Sequence, residues 1–195
     1  MSILEFKSAL QGGGARANQF RVTLTFPGFV TGGAAAARKA QFLCTAASLP
    51  GSHLGIASVF YRGREVKLPG ERVFQNWSIS VVNDTDFGVH DAFEKWMNTI
   101  NDVKENVGIT NPLAISASAI VDQLDRNGAV LKTYTFADAW PVNVGEINLD
   151  FGANDQLETF QVELAYSFWE TTKSPVSVSA SVGINTPIGS IGVSL

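Results

Sequence analysis

His53, His90 and Cys44 are the side chains best suited to proton transfer, metal ligation or nucleophilic attack, and the 195-residue chain holds two histidines and one cysteine in all. A zinc site needs such ligands at short, repeated spacing. His53 follows Pro50-Gly51, His90 stands beside Asp91, and neither has ligand spacing with Cys44 or with the other. Cys44 ends the apolar run Gln41-Phe42-Leu43-Cys44, the setting of a small buried hydrophobe, and a lone cysteine excludes an intramolecular disulfide. No Ser, His and Asp stand in a nucleophile motif. Asp84, Asp86 and Asp91 lack the spacing and closing Glu of a calcium loop. Gly12-Gly13-Gly14 reads as a flexible joint, because no Gly-Lys-Ser/Thr follows it and no strand precedes it. Four cations, Arg62, Arg64, Lys67 and Arg72, surround Pro69-Gly70 and could meet phosphate. Glu65 and Glu71 dilute that patch, and no aromatic residues interleave with it for base stacking. The chain is not expected to be an enzyme, and no metal or cofactor is implied.

Charge is unevenly placed. The net value is −4, yet residues 1–83 hold nine Lys or Arg against three Asp or Glu, a balance of +6, and residues 84–195 hold five against fifteen, a balance of −10. A basic surface and an acidic one would let copies meet head to tail, a contact that makes rings or filaments. No apolar run approaches the roughly 20 residues of a membrane span. The first residues, Met1-Ser2-Ile3-Leu4-Glu5-Phe6-Lys7, lack a secretory pattern, so folding in a cytoplasm is expected.

The elements follow from periodicity. Over 157–169, Phe160, Val162, Leu164, Tyr166 and Phe168 alternate with Thr159, Gln161, Glu163, Ala165 and Ser167, which predicts a long strand with one dry face. Val144, Ile147, Leu149 and Phe151 precede it across Gly152-Ala153-Asn154-Asp155, a turn sequence, so a long antiparallel hairpin is expected at the heart of the domain. Phe20, Val22, Leu24 and Phe26 predict a first strand over 18–26. The Gly- and Ala-rich residues 27–37 read as a hairpin tip, with 39–47 as the returning strand. Residues 56–61 predict a strand, 62–73 a basic, turn-bearing arm around Pro69-Gly70, and 74–82 a strand with Trp77, Ile79 and Val81 on one face. Asp84-Thr85-Asp86 should cap a helix over 86–101, whose Val89, Phe93, Trp96, Met97 and Ile100 form one apolar stripe. Residues 106–112 read as a linker. Strands over 114–124 and 129–136 flank Asp125-Arg126-Asn127-Gly128, a strong hairpin signal. The expected core includes Phe20, Val22, Leu24, Trp77, Phe93, Trp96, Phe160, Val162 and Leu164. The whole is a mainly β domain over 18–171, with an arm over 1–17 and an extension over 172–195 that is a flexible tail or binds a neighbour. Long strands at a sheet edge are a hazard unless paired, which favours an assembly protein.

Several segments carry a resemblance, in order along 10–170. They are Ala17-Asn18-Gln19-Phe20-Arg21-Val22, the run from Phe42 to Pro50, Gly70-Glu71-Arg72-Val73-Phe74-Gln75-Asn76-Trp77, Val82-Asn83-Asp84 and Phe93-Glu94-Lys95-Trp96. The most specific block is Trp140-Pro141-Val142-Asn143-Val144-Gly145-Glu146, followed by Glu158-Thr159-Phe160-Gln161-Val162 and Trp169-Glu170. With these the chain resembles the tail tube proteins of contractile-tailed, T4-like bacteriophages, relatives of pyocin and type VI secretion tubes. The resemblance implies two packed antiparallel sheets, as a small barrel or sandwich, with a flanking helix. It implies hexameric rings, one inner barrel shared by six copies, and rings stacked into a tube that conducts the genome. Sheath, baseplate and tail-terminator proteins would be partners, and the subunit would be a virion component assembled in the host cytoplasm. DNA would pass without sequence-specific binding.

Such a conduit should not grip phosphate. Asp138, Glu146, Asp150, Asp155, Glu158 and Glu163 have no Lys or Arg between them, which suits a lumen. Thr159, Gln161, Glu163, Ala165 and Ser167 are expected to line it, the alternative being that they face the sheath. Arg62, Arg64, Lys67, Pro69, Gly70, Glu71 and Arg72 are expected to reach a neighbouring subunit or ring. The chain departs from the family beyond Glu170 and in an enlarged Gly/Ala segment at 32–37. An inner-tube subunit of a phage-derived injection or secretion system, or a monomeric binding module on the same fold, are the other readings.

Overall fold

Three alternating runs fold side by side and set the frame. The structure, a computed structural model, describes residues 2–10 and 14–173. Strands β6, Ala117–Leu124, and β7, Val130–Val144, form the hairpin expected from Asn127-Gly128. Gly128 sits at φ 82, and the Asp125 carboxylate accepts the backbone N–H groups of Asn127 and Ala129. Next to β7 runs the third segment, as β8, Thr159–Ala165, and β9, Phe168–Lys173. Its pairing extends from Val144↔Val162 through Trp140↔Ala165 and Ala137↔Phe168 to Lys132↔Lys173.

The expected long hairpin therefore exists, with different arms. Its first arm is β7, and residues 145–158 are the loop. Gly152-Ala153-Asn154-Asp155 lies inside that loop instead of joining two strands. The Asp150 carboxylate accepts the Gly152 N–H and closes the turn locally, while Leu149, Phe151 and Leu157 stay exposed. The second arm is broken at Tyr166-Ser167, where Ser167 N–H bonds the Ala137 carbonyl. Opposite, Asp138 takes φ 54, a left-handed conformation that an Asp tolerates. The break shifts the alternation, so Phe168, expected inside, is exposed, and Trp169 packs on the core.

The strand order is β1-β6-β7-β8-β5-β2, with β9 also on β7; β1 is Phe20–Leu24, β2 Cys44–Ala47 and β5 Trp77–Val82. The sheet folds over at β7, and its two halves face each other, with Trp77 stacked on Phe136 at 4.4 Å. This is the expected sandwich, left unclosed between β1 and β2. Val22, Leu24, Trp77, Phe93, Trp96, Phe160, Val162 and Leu164 are buried as expected, whereas Phe20 is partly buried.

Two helices, not one, pack against the sandwich, the first at its open side and the second on that helix and β7. Residues 27–37 are not a loop at a hairpin tip, and 39–47 is not a full strand. Helix α2 covers Gly33–Leu43, and only Cys44–Ala47 is extended. Alanine is the best helix former, and Ala36 and Ala40, one turn apart, are buried against the sheet ends. Helix α3, Gly88–Ile100, buries Val89, Ala92, Phe93 and Trp96. Its N-cap is Phe87 at φ 52 and not the Asp84-Thr85-Asp86 run, although the Asp86 carboxylate accepts the Gly88 N–H. Those acids instead clamp α2. Lys39 bonds Asp84 at 2.7 Å and also Asp86, and its ammonium holds the Asp86 carboxyl down at about 2. Phe26 meets Phe93 and Trp96 edge-on at 5.1 and 5.5 Å. The Trp96 indole N–H donates to the Ile115 carbonyl at 2.7 Å, in the short helix α4, Pro112–Ile115, which stands where the expected linker gives way to a strand.

The first arm contains a short helix α1, Ile3–Ala9, with a Ser2/Glu5 capping box and no buried residue. Of the C-terminal extension, residues 172–173 belong to β9, and 174–195 lie outside the described residues, as do Gly12 and Gly13. Trp96→Ala should cost about 3–5 kcal/mol, through cavity and lost hydrogen bond. Phe42→Ala, on a side chain 83% exposed, should stay within about 0.5 kcal/mol of the parent. Urea unfolding of both variants checks the pair.

Candidate assembly interface

The Arg62 to Val73 segment is half of a longer hairpin. Strands β3, His53–Tyr61, and β4, Arg64–Val73, pair with each other and, among the described residues, with no other strand. Arg62 and Gly63 form the turn, with φ 49 and 79, the positive pair that a tight hairpin requires. Pro69-Gly70 is not the turn. It lies inside β4 where the register shifts, with Pro69 opposite Ile56. A Cβ on Gly70 would come within 2.8 Å of the Gly55 carbonyl carbon, so the two backbones touch there. Ten residues of strand extend roughly 33 Å. Ala57, Val59 and Tyr61 share a face with Leu68, Val66 and Arg64, while Ser58 and Phe60 lie opposite Lys67 and Glu65. Leu54, Ile56, Val59, Phe60, Tyr61, Val66 and Leu68 are all exposed. A two-stranded hairpin is marginal by itself, and an apolar arm of this size marks a binding surface.

The polar side of β8 points out of the sandwich. Thr159 and Gln161 are exposed, Glu163 and Ala165 are half-buried, and Ser167 sits in the break between β8 and β9. Across the ladder stand Val82, Ser80 and Ser78, opposite Thr159, Gln161 and Glu163. The surface is small, polar and free of cations, for none of β2, β5 and β8 contains a Lys or Arg. The other half of the fold does carry them. There Arg21 bonds Asp122 at 2.6 Å, and Thr133 donates to the same carboxylate at 2.7 Å.

A third feature was not apparent from the sequence. The outer side of α3, residues 101–106 and residues 140–147 enclose a groove of about 1190 Å³. Ile100, Val144 and Ile147 contribute apolar surface, and Glu94, Asp102 and Glu146 contribute carboxylates against one lysine, Lys95. The backbone N–H groups of Glu105 and Lys104 hold the Asp102 carboxyl below its usual range. Beside the groove, His90, Asp91 and Glu94 bring one possible ligand atom each within 4.8 Å of one another. His90 also stacks edge-on against Phe160 at 5.0 Å, which gives it a packing role.

Residues 15–172 match the family described as "Phage tail tube protein". The chain belongs to the phage tail tube protein family. It is 34% identical over 170 residues to the tail tube protein of Serratia phage KSP90, covering 85% of this chain and 94% of the relative. It is 30% identical over 157 residues to tail tube protein gp19 of Enterobacteria phage T4, covering 80% and 91%. Its fold is similar to a chain of the anti-feeding prophage tube-terminating cap, with a TM-score of 0.60 at 17% identity over 82% of this chain and 91% of that one. A chain of the sheath-tube complex of an extracellular contractile injection system gives 0.58 at 13% identity, over 89% and 99%. The chain is a structural tail tube subunit and hence a virion component, and among its described residues no helix is long and apolar enough to cross a membrane.

The nucleophile candidate of this tail tube chain is muted by its surroundings. Cys44 is half-buried, its thiol donates to the Ala46 carbonyl at 3.4 Å, and burial pushes its pKa up to about 11. Thiolate is the reactive form. Alkylation of the native subunit at pH 8 should therefore run about 100-fold slower than that of the urea-unfolded chain, and accelerate as pH approaches 11. Equal rates in mass-spectrometric time courses would place the thiol in the open.

Proposed function

We propose that this subunit assembles into hexameric rings that stack into a hollow tube inside a contractile sheath and conduct phage DNA. The observation that carries the reading is the β3–β4 hairpin, a long arm with bare apolar side chains that the described residues leave uncovered. Among the described residues, β1 and β2 end the sheet with their outer edges unpaired, which offers backbone hydrogen-bonding groups to neighbouring copies as well. The role asked of the chain is mechanical and does not require catalysis. Sheath, baseplate and terminator proteins are the partners this assembly needs, and it forms in the host cytoplasm. In the tube, Thr159, Gln161, Glu163, Ala165 and Ser167 line the lumen. Its lack of cations supports that placement, since each phosphate contact on a basic wall would hold the moving DNA.

Negative-stain microscopy and light scattering of the purified chain test this directly. Hollow rings or tubes are expected, spontaneously or on baseplate seeds; a monomer that also fails to elongate on seeds overturns the assembly. A subunit-resolved map should show Gln161 and Glu163 on the inner wall, and finding them against the sheath overturns the lumen assignment. Replacing residues 58–67 with Asn-Gly should leave the domain folded by circular dichroism yet abolish long tubes. Tubes of unchanged length would reduce the hairpin to an ordinary loop.

A further inference from the structure

We infer that the groove between α3 and the end of β7 is the receiving site for the β3–β4 hairpin tip of a second copy. This rests on the assembly reading above and names the contact that reading leaves open. The two surfaces are chemically opposite. The hairpin tip presents Tyr61, Phe60 and the cations Arg62, Arg64 and Lys67, with Glu65 tied to Ser58 by a hydrogen bond. The groove offers apolar Ile100, Val144 and Ile147 with the carboxylates of Glu94, Asp102 and Glu146. Aromatic and aliphatic stems can bury against the first set while their charged ends reach the second. At about 1190 Å³ the groove is wide enough to take a segment of chain.

The placement fits a second copy and not the same one. The hairpin springs from β2 and β5 at one end of the strand order, and the groove adjoins β7, with β8 between β5 and β7. Tip and groove thus lie on different parts of one chain, so each copy can give its tip to one neighbour and take a tip from another. That is a heterologous contact, which propagates into rings or filaments. It also gives the uneven charge a purpose, because the tip belongs to the basic part of the sequence and Glu94, Asp102 and Glu146 to the acidic part.

Cysteine trapping reads the contact. In a Cys44→Ser background, Arg64→Cys and Glu94→Cys are introduced together, the chain is incubated with baseplate seeds and oxidised, and both the sedimenting and the soluble fractions are run without reductant. A ladder of disulfide-linked copies that neither single cysteine produces is expected in either fraction. A ladder in soluble material without tubes would keep the docking and overturn the tube. Tubes without a ladder, or a disulfide confined within single copies, would overturn the docking and keep the tube; no ladder and no tubes would overturn both. Charge exchange supplies the second readout. Arg64→Glu with Lys67→Glu, or Glu94→Lys with Glu146→Lys, should each reduce sedimenting material about tenfold or more, through like charges brought together. Combining all four should restore most of it. A combination as poor as either parent, in chains that keep the wild-type circular dichroism, overturns the pairing.

Discussion

Strand β7 bonds to β6 and β9 over one part of its fifteen residues and to β8 over the rest, with Asp138 at φ 54 where the strand turns from one half of the sheet to the other. A straight strand could not serve both, because the two halves must face each other to enclose Trp77 and Phe136. Bulges of this kind let a strand leave one sheet direction for another. The bend has a counterpart in the neighbour, which breaks at Tyr166-Ser167 and resumes with the opposite residues facing inward. Most of the remaining fold adjusts to that corner. The sheet is left open between β1 and β2, where α2 packs with small alanines, and α3 packs its large aromatics behind it, against α2 and β7. Lys39 ties the two helices through Asp84 and Asp86.

Legibility in the sequence followed the environment of each segment. Strand β8 was readable because one of its faces is dry and the other wet, so alternation survives in the residue types. Helix α3 was readable from Val89, Phe93 and Trp96, and the β6–β7 turn from Asn127-Gly128, where local chemistry and tertiary structure agree. Helix α2 was not, since a stripe of alanines contrasts little with its surroundings, and glycines at both ends of 28–33 pointed to a loop. The break at 166–167 is invisible to periodicity, which counts residues and cannot register a shift imposed by Asp138 across the ladder. Pro69-Gly70 was misplaced because turn residues also serve at bulges, where two backbones approach closely. The groove had no signal at all, being built from α3, the segment after it and the end of β7.

The fold separates two kinds of surface with opposite tasks. Strands β2, β5 and β8 are without Lys or Arg, so an anionic polymer passing over them would find no counter-charge to hold it. Cations are instead gathered on the hairpin, where Glu65 and Glu71 lie in the same strand as Arg64, Lys67 and Arg72 and keep it from becoming a general phosphate trap. Apolar surface is distributed in the same way, scarce on the β8 face and dense on the hairpin and the 145–158 loop. The proposed tube would use this division, because adhesion between copies and slip along a lumen are incompatible on one surface.

The strength of a single docking event explains how such an exposed arm can be tolerated. Burying a Val, Leu or Phe side chain fully gives about 1.5–3 kcal/mol. Val59, Phe60, Tyr61, Val66 and Leu68 would be covered only in part, so their sum is roughly 5–10 kcal/mol before other terms. Association itself costs about 4–15 kcal/mol in lost freedom, with side-chain ordering in addition. In the docking proposed above, one hairpin meeting one groove is therefore close to balance, and isolated copies would separate again. A copy arriving at an ordered row of neighbours makes two such contacts, giving its hairpin and receiving another, and the second forms at the high effective concentration set by the first. Growth on an existing edge is then favoured over pairing in solution. The charges contribute orientation and encounter rate more than affinity, which is what a subunit needs if it is to add in one direction and remain dispersed until an edge is present.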